Sequence, residues 1–278
     1  MIAPPLFVLI GGVLAVMLVV MLVGWFTQRA ANDGGWTDVF WTFGTCVTCA
    51  VAALIPFGGM SAPTWRQGVI AAIVLIWALR LGSYIFLRVK RGPQDARYVD
   101  LKSEWGAAFQ GRMFWLLLMQ APITALLSAS ILVAAQNPAP GLRFADVAGV
   151  LILFGSILGE TLSDRQMAAF KANKANKGKV CDTGLWAWSR HPNYLFEFTL
   201  WLAYPAIALD ASRPLTWLSL IAPAVMFCIL RYGTGVPPLE AAMVKSKGDA
   251  YRRYQEQVSP FLPRPPKADP RPTKDAAQ

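Results

Sequence analysis

The stretch PLFVLIGGVLAVMLVVMLVGWFT, residues 5–27, carries no charged side chain, and the first charge in the chain is Arg29. A helix needs about 20 consecutive apolar residues to cross the roughly 30 Å of hydrocarbon in a bilayer. The stretch lacks the basic start and the small-residue cleavage site of a signal peptide. We therefore predict that it is a transmembrane helix and that the chain folds in a membrane.

Composition extends this prediction to the rest of the chain. Of its 278 residues, 55% are hydrophobic and 15% are charged, whereas about a quarter charged is usual for a soluble domain. Six further apolar stretches have the length of membrane helices rather than of the shorter, alternating strands of a barrel: 39–57, 67–87, 113–135, 147–160, 193–209 and 215–230. The predicted fold is all-α, a polytopic transmembrane helical bundle of about seven helices.

The distribution of basic residues predicts the orientation of the bundle. If the N-terminus lies outside, the outer loops contain only three of the 26 Lys and Arg residues, namely Arg66, Arg143 and Arg213, and nearly all of the others face the cytoplasm. This asymmetry follows the positive-inside rule and predicts a cytoplasmic C-terminus, in a bacterial inner membrane. The net charge of +10 is then explained by orientation and by anionic lipid headgroups, so it does not indicate a nucleic-acid partner.

We predict a single transmembrane bundle over residues 1–259, with cytoplasmic loops that bind a cofactor. Residues 260–278 are rich in proline and basic residues, and we expect a disordered tail there. The chain has one histidine and four scattered cysteines. This pattern predicts no metal site, because structural metal ligands come in closely spaced sets of such residues.

Three groups of polar residues lie inside the predicted helices, where ionisable side chains are costly and are functional hypotheses by default. Their spacing places the members of each group on one helical face: Trp77, Arg80, Tyr84 and Arg88 in the third helix, Glu160 and Asp164 in the fifth, and Asn193, Glu197, Trp201 and Tyr204 in the sixth. We expect the three groups to converge on one polar pocket that faces the cytoplasm. A purely structural polar network would give the same pattern.

The segment RQMAAFKANKANKGKVCDTGLWAWSR, residues 165–190, connects the fifth and sixth predicted helices. It combines basic side chains with asparagines, glycines and tryptophans, which are the groups that pair with phosphates, donate hydrogen bonds and stack on rings. This mixture favours a nucleotide ligand, although a solvated inner loop would also be basic. Neither a GxGxxG nor a GxxxxGK[ST] run is present, so a Rossmann fold or a P-loop is not indicated.

Several motifs together carry a family resemblance: WTDVFWTFG at 36–44, WALRLGSYIFLR at 77–88, GETLSDRQ at 159–166, FKANKANKGKV at 170–180, SRHPNYLFE at 189–197, GVPPLE at 235–240 and YRRY at 251–254. The chain resembles the DUF1295 branch of the steroid 5-alpha-reductase-like membrane protein superfamily, over residues 36–263. The resemblance implies a membrane reductase that uses NADPH to saturate an activated carbon–carbon double bond of a steroid or other lipid. The substrate would enter from the membrane.

The resemblance also implies a set of cofactor-binding residues. Asparagine and glutamate on one helical face suit the hydrogen-bonding groups of a ribose or an amide, and lysines suit the phosphate that distinguishes NADPH from NADH. The predicted cofactor-binding residues are Glu160, Asp164, Lys171, Asn176, Lys177, Trp186, Ser189, Arg190, His191, Asn193, Tyr194, Glu197, Arg231 and Glu240.

The predicted catalytic residues are Asp38, Tyr84 and Trp77. Hydride addition to an enone leaves negative charge on the carbonyl oxygen, which a hydrogen-bond donor stabilises. In steroid reductases a carboxylate on the second helix and a tyrosine on the third stabilise this oxygen. Asp38 and Tyr84 are the matching residue types in this chain. The position that we align with the family tyrosine is Trp77, whose indole donates a hydrogen bond but cannot deliver a proton.

Two other functions fit the same residues. Isoprenylcysteine carboxyl methyltransferases share the RHPxY run and have a glutamate before a tyrosine-rich C-terminal helix, a pattern that Glu240, Tyr251 and Tyr254 match. Their cofactor, S-adenosylmethionine, carries a positive sulfonium and no phosphate, so a lysine-rich loop offers it little. We therefore favour NADPH. The third alternative is a lipid-binding membrane protein without catalytic activity.

Overall fold

The computed structural model describes residues 5–56 and 60–267, and within these ranges the secondary structure is helical. Short 3₁₀ turns, among them Gly184–Ala187 and Pro214–Leu220, connect some of the α-helices. The α-helices in the described ranges are α1 (Leu6–Ala31), α2 (Trp36–Leu54), α3 (Trp65–Arg91), α4 (Ala96–Trp105), α5 (Phe109–Leu118), α6 (Gln120–Ala135), α7 (Phe144–Ala172), α8 (Pro192–Trp201), α9 (Ala203–Ala208), α10 (Ile221–Tyr232), α11 (Val236–Lys247) and α12 (Asp249–Gln257). The predicted all-α fold is confirmed.

Within the described ranges, six helical segments are long and apolar enough to cross a bilayer: Leu6–Ala31, Trp36–Leu54, Trp65–Arg91, Ala96–Ala135, Phe144–Ala172 and Pro214–Lys247. The chain is therefore an integral membrane protein with several membrane-spanning helices. Phe57, the predicted end of the second span, lies outside the described residues. The fifth span is longer than the predicted stretch 147–160, because α7 continues through its charged residues to Ala172.

The predicted span 193–209 is not one continuous helix. It consists of α8 and α9, and the turn residue Leu202 separates them. The cause lies in Pro205, which has no backbone N–H to donate to the carbonyl four residues earlier and therefore interrupts a helix. The prediction of about seven spans thus exceeds by one the six segments that qualify among the described residues.

The described residues divide into two compact units, which we call unit 1 and unit 2. Unit 1 comprises the chain up to Phe154 together with Trp201–Met226, and unit 2 comprises Gly155–Leu200 together with the chain from Phe227 onward. The predicted catalytic residues belong to unit 1. The predicted cofactor-binding residues belong to unit 2.

In unit 1, helices α1, α2, α3 and α6 pack against one another. Every residue of α6 from Leu127 to Ala135 is buried, and alanine and serine predominate there. Small side chains let helices approach closely, which is how helices associate in lipid. One polar pair in this core joins two helices: the Trp41 indole on α2 donates to the Thr124 hydroxyl on α6 over 3.0 Å. By contrast, α1 exposes large apolar side chains such as Phe7, 74% exposed, as expected of a surface that faces lipid.

A buried arginine connects two helices and a loop of unit 1. Arg66, 2% exposed, lies in the first turn of α3. Its guanidinium donates two hydrogen bonds to the Asp146 carboxylate, 3.0 and 2.9 Å long. Its other N–H groups donate to the backbone carbonyls of Asn137, Ala139 and Gly141. A guanidinium has five N–H donors, so its hydrogen-bonding capacity is filled.

We expect the substitution Asp146→Ala to destabilise the protein strongly, because it leaves Arg66 buried without a counter-charge. Breaking a buried pair in this way typically costs about 3–5 kcal/mol. The melting temperature of the purified protein in detergent measures the effect. The matched control is Arg213→Ala, which breaks a contact of 3.6 Å between Asp210 and a half-exposed arginine and should cost less than about 1 kcal/mol. Similar losses for the two variants would contradict a special role for the Arg66 pair.

Candidate functional site in unit 2

The RHPN run of the sequence forms the start of α8. Pro192 is the first residue of this helix, a position where proline suits the helix because the N–H that it lacks would have no intrahelical partner. Ser189, Arg190 and His191 precede it, and all three are buried. Unit 2 therefore places a basic and an imidazole side chain inside the protein, where each needs a partner.

Arg190 joins three segments of unit 2. Its Nε donates to Glu240 Oε1 over 2.6 Å, and a second nitrogen donates to Glu240 Oε2 over 3.2 Å. Its remaining terminal nitrogen donates to the backbone carbonyls of Gln255 and Val258, at 2.7 Å each. The backbone N–H of Arg190 donates to the carbonyl of Ser259. Arg190 therefore holds α11, α12 and the segment that follows α12 in register with the start of α8.

His191 shares the same carboxylate. Its Nε2 lies 3.0 Å from Glu240 Oε1, and its ring stacks on Tyr194 with 5.7 Å between centroids. Burial lowers the pKa of His191 below its usual value of about 6.5, since the hydrogen bond that His191 donates to Glu240 offsets burial only in part and the charges of Arg190 and Arg231 lower the pKa further. The imidazole is therefore neutral at pH 7. Because Nε2–H faces a carboxylate, Nδ1 is left as an acceptor.

The acceptor on His191 has no hydrogen-bond partner among the described residues. Nδ1 is buried, and the side chain is only 2% exposed. Buried polar atoms in proteins are almost always paired, so an unpaired one calls for an explanation such as a ligand. The carboxylate of Glu240 also accepts a hydrogen bond of 2.9 Å from the Gln255 side chain, which fixes the ring further. The result is an oriented imidazole that can accept one hydrogen bond from a ligand O–H or N–H.

The α7–α8 loop, residues 173–191, is pinned to its surroundings at several points. Gln166 on α7 accepts a hydrogen bond from the backbone N–H of Leu185, and the Trp186 indole donates to the carbonyl of Ser163. Gly184 has a φ of +59° and abuts Gln166, so a side chain at this position would clash as well as strain the backbone. The loop thus has a defined shape, although its lysine side chains point into solvent.

The segment after α12 closes over the same motif. Ser189 donates to the carbonyl of Phe261 over 2.8 Å, and the backbone N–H of Arg264 donates to the carbonyl of Trp188 over 3.0 Å. Phe261 is 2% exposed and packs against Phe198 and Phe227. We predicted a disordered tail from residue 260. Residues 260–267 instead make these specific contacts, and residues 268–278 lie outside the described residues.

Three of the predicted cofactor-binding residues occupy structural hydrogen bonds in unit 2: Ser189, Trp186 and Asn176, whose amide donates to the carbonyl of Phe170 over 3.1 Å. Two others, Glu160 and Glu197, are buried on α7 and α8 and have interaction partners. The two helices approach closely at Gly159, where an added Cβ would lie 2.3 Å from the Phe196 ring. Apart from Arg190, His191 and Glu240, described above, the remaining predicted residues lie at half-buried or exposed positions: Asp164, Lys171, Lys177, Asn193, Tyr194 and Arg231.

In unit 1, Asp38 forms an ion-pair network. It accepts a 2.9 Å hydrogen bond from the Tyr98 hydroxyl and a 2.7 Å hydrogen bond from Arg97. Arg88 lies 3.7 Å away and pairs with Asp95 at 3.0 Å. Burial alone would raise the pKa of Asp95, but the hydrogen bonds and charge of Arg97, aided by Arg88, lower it. The sequence analysis did not identify Arg97, Tyr98 or Asp95, because α4 shows no periodic pattern that points to them.

The other two predicted catalytic residues lie on α3. Trp77 is 1% exposed, and its ring makes edge contacts with Trp41 and Trp201, at 6.1 and 5.6 Å between centroids. Tyr84 is 47% exposed, and the Arg80 guanidinium lies 6.0 Å from its ring. Of these two residues, Tyr84 thus offers the more accessible side chain.

Comparisons with known proteins give a family and no activity. The profile of a family described as a protein of unknown function, DUF1295, matches residues 24–258. The chain is 26% identical over 232 residues to the uncharacterized protein C594.04c of Schizosaccharomyces pombe, covering 74% of this chain and 66% of that protein. No solved structure matches the chain significantly.

We expect Phe261→Ala to lower the stability of the protein, because the buried ring contacts two other aromatic rings. Truncation of a buried phenylalanine typically costs about 3–5 kcal/mol. The neighbouring variant Leu262→Ala is the control, since Leu262 is 52% exposed. Melting temperatures in detergent provide the measurement. If Leu262→Ala proved as damaging as Phe261→Ala, the segment after α12 would not be anchored by Phe261.

His191 predicts a pH dependence of stability. Its pKa is lowered by folding, so below about pH 6.5 the unfolded chain binds a proton that the folded chain resists, and the free energy of unfolding falls with falling pH. The variant His191→Gln lacks this group. Its melting temperature should therefore decline less between pH 7.5 and 5.5 than that of the wild type. Equal slopes for the two proteins would exclude a buried, neutral imidazole at this position.

Proposed function

Because this chain belongs to the DUF1295 family, we propose that it is a membrane reductase that uses NADPH to saturate an activated carbon–carbon double bond of a steroid or other lipid. The observation that carries the proposal is the buried, unpartnered Nδ1 of His191, held by Glu240 beside a lysine-rich loop. Such a site suits a ligand that brings both a hydrogen-bond donor and several negative charges. A dinucleotide phosphate has both.

The residues of unit 2 fit this cofactor by their chemistry. The acceptor of His191 can take a hydrogen bond from a ribose hydroxyl or from the carboxamide of the nicotinamide. The lysines of the α7–α8 loop are exposed and can pair with phosphates. When bound, NADPH supplies the hydride that adds to the carbon β to the carbonyl of the substrate.

The residues of unit 1 would serve the substrate. Negative charge develops on its carbonyl oxygen, and Tyr84 is the proposed donor that stabilises this charge. Asp38 would contribute by holding Arg97 and Tyr98, the two donors that its carboxylate binds. The α-carbon of the double bond takes up a proton in the same reaction. The proposal places the α7–α8 loop on the cytoplasmic side of a bacterial inner membrane, where NADPH is available, and has the lipid enter from the bilayer.

One observation favours a second candidate, an S-adenosylmethionine-dependent lipid methyltransferase. Glu240 lies 3.0 Å from the His191 ring. The two tyrosines of α12, which follow Glu240 in the sequence, are buried. Both features are in keeping with the resemblance to the isoprenylcysteine enzymes. A sulfonium, however, is repelled by the surplus of cations in the α7–α8 loop. The charge of this loop therefore ranks the reductase first.

Ligand-dependent stabilisation distinguishes the candidates. A ligand that binds only the folded protein stabilises it by about 2.7 kcal/mol at a concentration of 100 times its Kd. We expect NADPH to raise the melting temperature of the purified protein and S-adenosylmethionine to leave it unchanged. Stabilisation by S-adenosylmethionine alone would replace the reductase with the methyltransferase, and stabilisation by neither would favour a lipid-binding protein.

The same assay tests the site. The variants His191→Gln and Asn193→Ala should each weaken NADPH binding by about tenfold or more, which corresponds to about 1.4 kcal/mol. The control is Asn173→Ala, which removes an exposed amide from the same loop. Unchanged NADPH affinity in both test variants would remove the start of α8 from the cofactor site.

A further inference from the structure

A cleft of about 540 Å³ opens in unit 2 between the α7–α8 loop and α12. It is distinct from the His191 network, because none of Arg190, His191 or Glu240 lines it. Its volume lies in the range of small-molecule and cofactor sites. The lining residues are Phe170, Asn176, Lys179, Val180, Asp182, Thr183, Ala250, Arg253, Tyr254 and Gln257.

Two cations of the cleft are available to a ligand. The ammonium of Lys179 and the guanidinium of Arg253 are exposed, and neither forms an ion pair with any residue that the structure describes. Asp182 adds a carboxylate to the lining. The cations therefore outnumber the carboxylate, which favours an anion, while the carboxylate can accept hydrogen bonds from an uncharged part of the same ligand.

The walls of the cleft suit a ring and a sugar. Phe170 and Tyr254 contribute aromatic side chains. The Tyr254 hydroxyl is already used, because it donates to the carbonyl of Trp186 over 2.5 Å. The Tyr254 ring is only 5% exposed and packs against Tyr251, so Phe170 offers the main aromatic surface to a ligand. Thr183 and Gln257 add hydroxyl and amide groups. Aromatic surface, a carboxylate and cations together match a nucleoside that carries a phosphate.

Helix α12 links this cleft to the His191 network. Tyr254 and Gln257 line the cleft, whereas Gln255 between them donates to Glu240 and accepts from Arg190. One helix therefore contributes to both places. A dinucleotide has two ends, of which only the nicotinamide end is accounted for by His191.

We propose that this cleft binds the adenosine end of NADPH, with Arg253 and Lys179 as the partners of its 2′-phosphate and Asp182 as an acceptor for the ribose or the adenine amino group. The proposal rests on the proposed function and adds to it the site that selects NADPH over NADH. It assigns a specific role to Arg253, which is not among the cofactor-binding residues that the sequence predicts.

The test uses adenosine 2′-monophosphate as a probe of the cleft and the purified full-length protein. Titration calorimetry should show binding of this probe to the wild type, and the variants Arg253→Gln and Lys179→Gln should each weaken it by about tenfold or more. Adenosine itself should bind all three proteins alike. The preference for NADPH over NADH should fall in the same two variants, because NADH lacks the 2′-phosphate.

The matched control is Arg252→Gln. Arg252 neighbours Arg253 on α12, has a 65% exposed side chain and lies 3.9 Å from Asp249, and it does not line the cleft. This variant should bind the probe as the wild type does. If Arg252→Gln and Arg253→Gln weaken binding equally, the positive surface acts as a whole and the proposal is overturned.

Short-chain phosphatidylglycerol, added to the protein in detergent, separates the cleft from a surface that binds anionic lipid headgroups. Failure of the nucleotide probe to bind, with equal loss of phosphatidylglycerol binding in the Arg252 and Arg253 variants, would assign these cations to lipid headgroups and overturn the proposal. If the protein binds NADPH and Arg253→Gln keeps the preference for NADPH over NADH, the role of the cleft is refuted but the reductase function is not. Probe binding that depends on Arg253, in a protein that binds neither dinucleotide, would support the cleft and refute the reductase.

Discussion

Two arginines that this protein buries are each held by several partners at once, because a charge removed from water is costly unless it is paired and hydrogen-bonded. Arg66 in unit 1 satisfies its whole guanidinium with one carboxylate and three backbone carbonyls. Arg190 in unit 2 follows the same rule with Glu240 and two carbonyls. In both cases one arginine fixes the ends of elements that lie far apart in the sequence. Because the buried guanidinium must find hydrogen-bond acceptors, it orders the loops that supply them.

A partly unpaired histidine gives the candidate site its character. His191 shares the carboxylate that Arg190 binds, yet one of its ring nitrogens lacks a partner among the described residues. Other buried side-chain atoms in the described ranges also lack a partner, among them Thr37 Oγ1 and Gln136 Nε2. At His191, however, Glu240 fixes the ring with its free acceptor beside the basic α7–α8 loop. The fixed acceptor is the reason to place a ligand at His191, and the basic loop is the reason to expect that ligand to be anionic.

The sequence predicted the fold well where the cause is local. Hydrophobic length predicted the helices, since lipid imposes the same requirement on every span. It failed at 193–209, where Pro205 breaks a segment that is apolar throughout and therefore looks continuous by hydropathy. Within the candidate site, the segment 189–197 could be singled out from the sequence, because its motif is contiguous. It implied Glu240 by resemblance but could not reveal that Glu240 orients His191, since the two lie 49 positions apart and no periodicity reports such a pair. The same holds for Arg97 and Tyr98 beside Asp38.

The anchoring of Ser189 by Phe261 has a consequence for biosynthesis. These two residues are 72 positions apart, and ribosomes add about 5–20 residues per second. The start of α8 is therefore made roughly 4 to 14 seconds before the segment that fastens it. During that interval the serine hydroxyl and the guanidinium of Arg190 await acceptors that have not yet been translated. The hydrogen bonds of this region therefore cannot all form until Phe261 has been synthesised.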